Sequence, residues 1–402
     1  MPLEIIIFIG LLHLHFTEFI MPAKVLFLTL KTFGFTGGIE KVCRTLCRVF
    51  YDLSEENTIE PCVYSMYDRN TERDSRYLTK DQFTGFNFNR KYFVLKALIK
   101  GLKSDVIVLS HIHLLNVGYL IKRLQPKKKV YLIAHGIEIW RALPEAKVNV
   151  LKSLDKIICV SHFTASKIHT MHGIPEAQLE VLNNCLDPFY YVSKNFDKPK
   201  ALLNRYNLSE ENIILFSLSR LSSSEKYKGY DHNIELLPAL LEKHPNLIYL
   251  LGGKWDDLEK RRLDELVKKH QLEKRIRIIG FVDEAEVTDH FLLSDIFIMP
   301  SKKEGFGIVF IEAIASGLQV IAGNKDGSVD ALRNGRLGAL VDPDNLKDIE
   351  EKIQYFLDHP QSINDKLILQ RDCMEVFNYN RYKKAIEILI KNGSTGKKFV
   401  NA

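Results

Sequence analysis

Several functional classes are excluded by what the chain lacks. Its six cysteines (Cys43, Cys47, Cys62, Cys159, Cys185 and Cys373) are scattered over 402 residues with no CxxC pair, so neither a disulfide scaffold nor a zinc site is indicated. Cys43 and Cys47 stand four apart on an expected helix with no histidine or aspartate at ligand spacing beside them, which predicts core packing. This cysteine usage fits a reducing cytoplasm. The glycines of FGFTGGIEKV (33–42) lack the GxGxxG spacing, which disfavours a nicotinamide enzyme. No solenoid period or low-complexity tract stands out. The longest apolar stretch, PLEIIIFIGLLHLHFTEFI (2–20), lacks a basic leading region and a small-residue cleavage site, and it is broken by Glu4, His13, His15 and Glu18. It reads as an extension ahead of a natural start at Met21, with a peripheral membrane helix as the alternative.

What is present is ordinary for a soluble globular chain: 46% hydrophobic and 26% charged residues. At about 150 residues per domain the length predicts two or three domains. Charge is unevenly divided. Residues 1–200 hold 27 Lys+Arg against 19 Asp+Glu, whereas residues 201–402 hold 29 against 31. The basic run NRKYFVLKALIKGLK (89–103) and the triplet Lys127, Lys128, Lys129 are candidates for an anionic lipid surface or an anionic acceptor, against solvated helix faces as the plainer alternative. No nucleic-acid partner is expected.

From Met21 onward short apolar runs alternate with longer amphipathic ones. KVLFLTL (24–30), DVIVLSH (105–111), KVYLIAHG (129–136) and DKIICVS (155–161) have the near-continuous apolar character of strands in a parallel sheet covered on both faces. The polar stretch 191–200 reads as a linker, after which IILFSLSR (213–220), NLIYLLGG (246–253), RIRIIGFV (275–282) and DIFIMPS (295–301) repeat the pattern. The fold class expected is α/β, two doubly wound Rossmann-like domains in tandem with the ligand cleft between them. The bounds predicted are 21–195 and 196–377, a helix at 378–391, and a loose tail at 392–402.

The chemistry-bearing residues fall at strand ends. SKKEGFGIVFIEAIASG (301–317) is strand, turn, helix, with Gly305 and Gly307 allowing close backbone approach and Glu312 inside an apolar helix. A bare ionised carboxylate there is costly, so a partner is required. A ribose diol held by Glu312, with Glu304 facing the same cleft, satisfies that requirement, and a solvent-facing Glu312 on a capped helix is the alternative. Arg220 and Lys228, after the first strand of the second half, are cations able to converge on a diphosphate. Gly37 and Gly38 open the helix after the first strand, and His135 ends KVYLIAHG, where it is able to hydrogen-bond a substrate hydroxyl, with a satisfied structural histidine as the alternative. Ser161, Asn184 and Asp187 are expected at the hinge and cleft wall. Asp342 and Asp344 form a DxD, but here Asp344 or Asn345 is expected to cap a helix, and no metal set is apparent.

Taken in order, GGIEK, HGIEIW, VSHFTASKI, LNNCLDP, SRLSSSEKYKGYD, EGFGIVFIEA and GNKDGSVDAL resemble glycosyltransferase family 4, retaining enzymes of GT-B fold, from Met21 to about Ile390. The resemblance implies that Glu304 and His135 serve at the reacting centre. It also implies that Gly38, Arg220, Lys228, Phe306, Gly307, Ile308 and Glu312 hold the donor, and that the last helix crosses back onto the first domain. One departure is LGGKWDD, where the family carries an acidic residue after the first glycine. The implied reaction moves a hexose-type sugar from a nucleotide-diphosphate sugar to a hydroxyl of a saccharide or lipid-linked acceptor. No metal or other cofactor is expected, and the implied site of action is the cytoplasm or the inner membrane face, in cell-envelope polysaccharide or glycolipid assembly. A glycoside phosphorylase or hydrolase, or a non-catalytic sugar-nucleotide-binding protein, are the alternatives.

Overall fold

The structure is a computed structural model that describes residues 21–394, so the expected extension at 1–20 and the end of the expected tail lie outside the described residues. It contains two all-parallel sheets. The first half supplies β1 (Ala23–Thr29), β2 (Ile59–Ser65), β3 (Phe83–Gly85), β4 (Val106–Leu109), β5 (Lys129–Ala134), β6 (Lys156–Cys159) and β7 (Leu179–Val181). Their spatial order is β3-β2-β1-β4-β5-β6-β7. The second half supplies β8 (Ile213–Leu218), β9 (Leu247–Gly252), β10 (Ile276–Gly280), β11 (Ile296–Met299), β12 (Gln319–Gly323) and β13 (Ala339–Val341), in the order β10-β9-β8-β11-β12-β13. Both sheets are doubly wound around their first strand, as expected.

The reason is visible in the strands themselves. Every residue of β4 (VIVL), β9 (LIYLLG) and β11 (IFIM) is buried, because helices cover both sheet faces and no position faces water. Cys43 and Cys47 point into the core from the helix Gly38–Glu55, and all six cysteines are free. Five strands went unmarked in the sequence: β2, β3, β7, β12 and β13. Three of these have only three residues, and β2 contains Pro61 and a mixed burial pattern, so these four offer no continuous apolar run; β12 (QVIAG) is largely buried but short.

In both sheets the order reverses beside the first strand, between β1 and β4 and between β8 and β11. A doubly wound sheet opens a crevice at that point, outside the carboxyl ends of the strands. The two crevices place four loops near each other: those after β1, β4, β8 and β11. No regular structure spans 191–199, and a short helix begins at Lys200. The final helix, Tyr379–Ser394, packs against β1, β4 and the helix Gly38–Glu55. Tyr379 Oη donates to Asp52 Oδ2 at 2.7 Å, and Tyr131 Oη donates to the Leu389 carbonyl at 3.2 Å. This helix is thereby fastened to the first half.

Candidate active site

Asp68 builds the first wall. Its buried carboxylate accepts from the backbone N–H groups of Thr32 at 2.7 Å, Phe33 at 3.2 Å and Gly34 at 3.0 Å, and from Ser65 Oγ at 2.7 Å. The loop after β1 is thus fixed, and the helix that follows begins at Gly38 with Gly37 as its N-cap. A Cβ added at Gly38 would meet nothing within 4 Å, so this residue faces open space. Asp68 was not singled out in the sequence, since a lone aspartate after a polar strand end carries no motif.

The second wall is the Glu304 loop. Glu304 N–H donates to Asp326 Oδ2 at 2.6 Å, and the Glu304 carbonyl accepts from Gly327 N–H at 2.8 Å. Glycine is required here on both sides: a Cβ at Gly305 would lie 1.6 Å from the His135 carbonyl oxygen, and one at Gly327 would lie 2.0 Å from the Gly305 carbonyl. Gly307 sits at φ 84°, a left-handed turn that releases the chain into the helix Ile308–Ala315.

Between these walls lies a cleft of about 290 Å³. Seven of the nine residues expected at the site line it: Gly38, Arg220, Lys228, Glu304, Gly307, Ile308 and Glu312. His135 and Phe306 do not. The Phe306 ring is withdrawn into the core and packs edge-on against Phe377 at 5.6 Å, which leaves its main chain to meet a ligand. His135 directs Nε2 to the Ser110 carbonyl at 2.8 Å, which makes Nε2 the protonated nitrogen and leaves Nδ1 as the acceptor. Burial lowers its pKa to about 4, against the pull of that carbonyl, and the ring is neutral at physiological pH.

The charged groups are already paired. Lys228 forms an ion pair with Glu304; burial works against the ammonium, but the adjacent carboxylate prevails and its pKa ends raised. Glu312 is only 4% exposed, and its partner is Lys41, reaching across from the Gly38–Glu55 helix. Burial raises the Glu312 pKa while Lys41 opposes the rise. Arg44 pairs with Glu284 at 2.5 Å, a second bridge between the halves. Arg220, by contrast, is exposed, and its one ion pair among the described residues is with Glu225 at 2.9 Å.

Other residues line the cleft that the motifs did not mark, among them Thr36, Lys254 and Phe281. Lys254 is the basic residue of the divergent LGGKWDD loop, so the departure from the family pattern lies in the cleft and adds a cation to it. Nearer solvent, Phe33, Phe35, Trp255 and Phe281 line an aromatic hollow of about 660 Å³. The remaining expectations resolve as structural roles. Ser161 caps the helix His162–His172, Asp187 accepts from Tyr77 Oη, and Asn345 caps Leu346–Asp358 while Asp342 and Asp344 pair with Lys325.

Asp326, which positions Glu304, carries a testable signature. Burial raises its pKa from 3.8 to about 7. A carboxyl whose folded pKa is raised favours folding fully below its unfolded pKa and loses that contribution as pH rises through the folded value. Asp326→Asn stays neutral and forfeits one acceptor at every pH. The melting temperature of the variant relative to wild type is therefore expected to improve between pH 5 and pH 8; an unchanged difference would exclude a proton on Asp326.

Comparison with known proteins places these features in a family. The family model "Glycosyltransferase Family 4" matches residues 36–188, and "Glycosyl transferases group 1" matches residues 200–370. A GDP-mannose-dependent alpha-(1-6)-phosphatidylinositol monomannoside mannosyltransferase of Mycobacterium tuberculosis is 29% identical over 247 residues, 58% of this chain and 62% of its own length. The chain thus spans under two thirds of that relative. A 2-deoxystreptamine N-acetyl-D-glucosaminyltransferase of Niallia circulans is 24% identical, covering 73% of this chain and 79% of that one. Among solved structures, a glycosyltransferase of Rickettsia africae matches with a TM-score of 0.75 at 20% identity, covering 94% of this chain and all (100%) of that one. Anabaena HepE, solved with UDP and glucose, matches at 0.71 and 18%, covering 92% and 100%. The two halves of the chain match the two family models in order, each on its own doubly wound sheet, and the chain belongs to glycosyltransferase family 4 with the GT-B fold.

Proposed function

We propose that the protein is a retaining hexosyltransferase that moves a sugar from a nucleoside-diphosphate sugar to a hydroxyl acceptor without a metal ion. The observation that carries this reading is the convergence of Arg220, Lys228 and the start of the Ile308–Ala315 helix on one cleft whose carboxylates are Glu304 and Glu312. Cations and a helix N-terminus hold a diphosphate, and two carboxylates accept from sugar and ribose hydroxyls.

As the sugar departs, negative charge builds on the diphosphate oxygen and the sugar becomes oxocarbenium-like. Arg220 and Lys228 stabilise that charge in a partly dehydrated site. The acceptor attacks from the face that the diphosphate leaves, and the leaving phosphate takes its proton. Glu304 positions the sugar, and His135, outside the cleft lining, backs the Glu304 loop through its carbonyl beside Gly305. Glu312 accepts from the ribose diol, which displaces Lys41 or shares the carboxylate with it. Binding a donor thereby acts on an inter-half ion pair, and closure excludes water.

The test is release of nucleoside diphosphate from a panel of UDP-, GDP-, ADP- and dTDP-sugars in a chelator. One base class is expected to react, faster with a saccharide or lipid-linked acceptor. Reaction only with added divalent metal would overturn the metal-free mechanism. Release of sugar 1-phosphate from an oligosaccharide and phosphate would make the enzyme a phosphorylase.

A lipid-linked acceptor requires access to a membrane surface. No helix among the described residues is long and apolar enough to cross one. The helix Arg90–Gly101 instead exposes Tyr92, Leu95 and Ile99 along one stripe, flanked by Lys91, Lys96 and Lys103, with Phe88 exposed just before it. Apolar residues between lysines are the composition of a helix that rests in an anionic interface. Neutralising Lys96, Lys100 and Lys103 is expected to weaken co-sedimentation with phosphatidylglycerol vesicles about 100-fold, at about 1 kcal/mol per lysine, and to leave donor binding intact. Undiminished sedimentation would remove this helix from the account.

A further inference from the structure

Beside the donor cleft lies a second cavity, of about 550 Å³, also formed at the carboxyl ends of strands from both halves. Its walls carry Arg141 and Lys167 from the first half and Lys302, Lys303 and Lys325 from the second, against a single carboxylate, Glu138. Lys302 and Lys325 are balanced by Asp342 and Asp344. Arg141, Lys167 and Lys303 have no carboxylate partner among the described residues. The Lys167 ammonium lies over the Phe163 ring, 5.3 Å from its centroid, and that of Lys303 lies 5.6 Å from the centroid of Tyr227. Trp140 and Phe163 supply an apolar floor.

The two cavities abut. Lys303 lines this one and Glu304, the next residue, lines the donor cleft, with the close contact of Gly136 and Gly305 between them. A molecule seated here is next to the group that positions the transferred sugar. Three cations without a carboxylate partner, two of them over aromatic rings, are poorly matched to a neutral saccharide, and well matched to a phosphoryl group attached to a sugar or an alkyl chain.

Resting on the glycosyltransferase reading above, we infer that this cavity is the acceptor subsite and that the acceptor carries a phosphoryl group, which Arg141, Lys167 and Lys303 bind. The phosphate comes either from a soluble sugar phosphate or from a lipid headgroup, and the same chemistry recognises both.

The test is calorimetric titration of protein saturated with its nucleoside diphosphate, so that the donor cleft is occupied. The probes are glucose 6-phosphate, monomeric dioctanoyl phosphatidate, and glucose as the uncharged control. At least one phosphate probe is expected to bind and glucose is not. Tighter binding of the phosphatidate identifies a lipid source, and equal or tighter binding of glucose 6-phosphate a soluble one. Arg141→Gln combined with Lys167→Gln, both at exposed positions that leave the core untouched, is expected to weaken the phosphate probe at least tenfold and to change nucleoside-diphosphate affinity less than twofold. Failure of both phosphate probes, or binding that survives the double substitution, would overturn the inference. If no nucleoside diphosphate binds, the donor reading fails instead, and the same titration in an Arg220→Ala background still decides the phosphate site.

Discussion

Lys228→Ala is expected to lower kcat for sugar transfer by about 10²–10³-fold, the usual cost of removing one group that stabilises charge developing in a transition state. The ammonium sits in the cleft beside Glu304 with little solvent around it, so water cannot take its place effectively. Its loss also leaves Glu304 without its partner, and the fall should therefore appear in kcat as well as in donor affinity. Lys228→Arg, which keeps the charge but not the geometry, should recover part of the rate. A transfer rate within threefold of wild type for Lys228→Ala would show that the diphosphate leaves elsewhere.

The second large effect concerns Glu312. Wild-type protein is expected to bind a ribonucleoside diphosphate on the order of 100-fold more tightly than its 2′,3′-dideoxy analogue, since two hydrogen bonds to a charged acceptor are lost together. Glu312→Ala should erase this preference by weakening only the ribose form. The substitution also releases Lys41, whose side chain is already 22% exposed and can reach water, so unfolding is not the expected outcome. A melting curve checks that point. Persistence of the ribose preference in Glu312→Ala would remove the nucleoside from this carboxylate and leave the Lys41 pair as a purely structural bridge between the halves.

That bridge shows where sequence reading stopped. A glutamate inside IVFIEAIA announces that it needs a partner, because local composition makes burial plain. The partner's identity depends on which helix of the other half faces it, and Lys41 lies 271 residues away. Lys41 carries no such signal of its own: in GGIEK it is an ordinary lysine at a helix start. Asp68 escaped for the same reason: its role exists only once the loop after β1 has folded over it. The long buried strands were legible because two covered faces force an unbroken apolar run, and with them came the strand ends where Arg220, Lys228 and Glu304 stand. Short edge strands such as β3 and β7 need only a few residues and carry no period. The motif does not say which way Phe306 turns: its ring packs inward on Phe377 while Glu304 and Gly307 reach the cleft.

The account's central claim is that this cleft holds a nucleoside diphosphate without a metal, and its most direct measurement is calorimetric titration of that ligand in a chelator against wild type and Arg220→Ala. Arg220 is exposed and pairs only with Glu225 among the described residues, so its removal is expected to leave the fold alone and to delete the proposed phosphate ligand. The account predicts binding of one base class in the chelator and at least a tenfold loss in the variant. Binding that requires a divalent ion, or that is equal in both proteins, would contradict it.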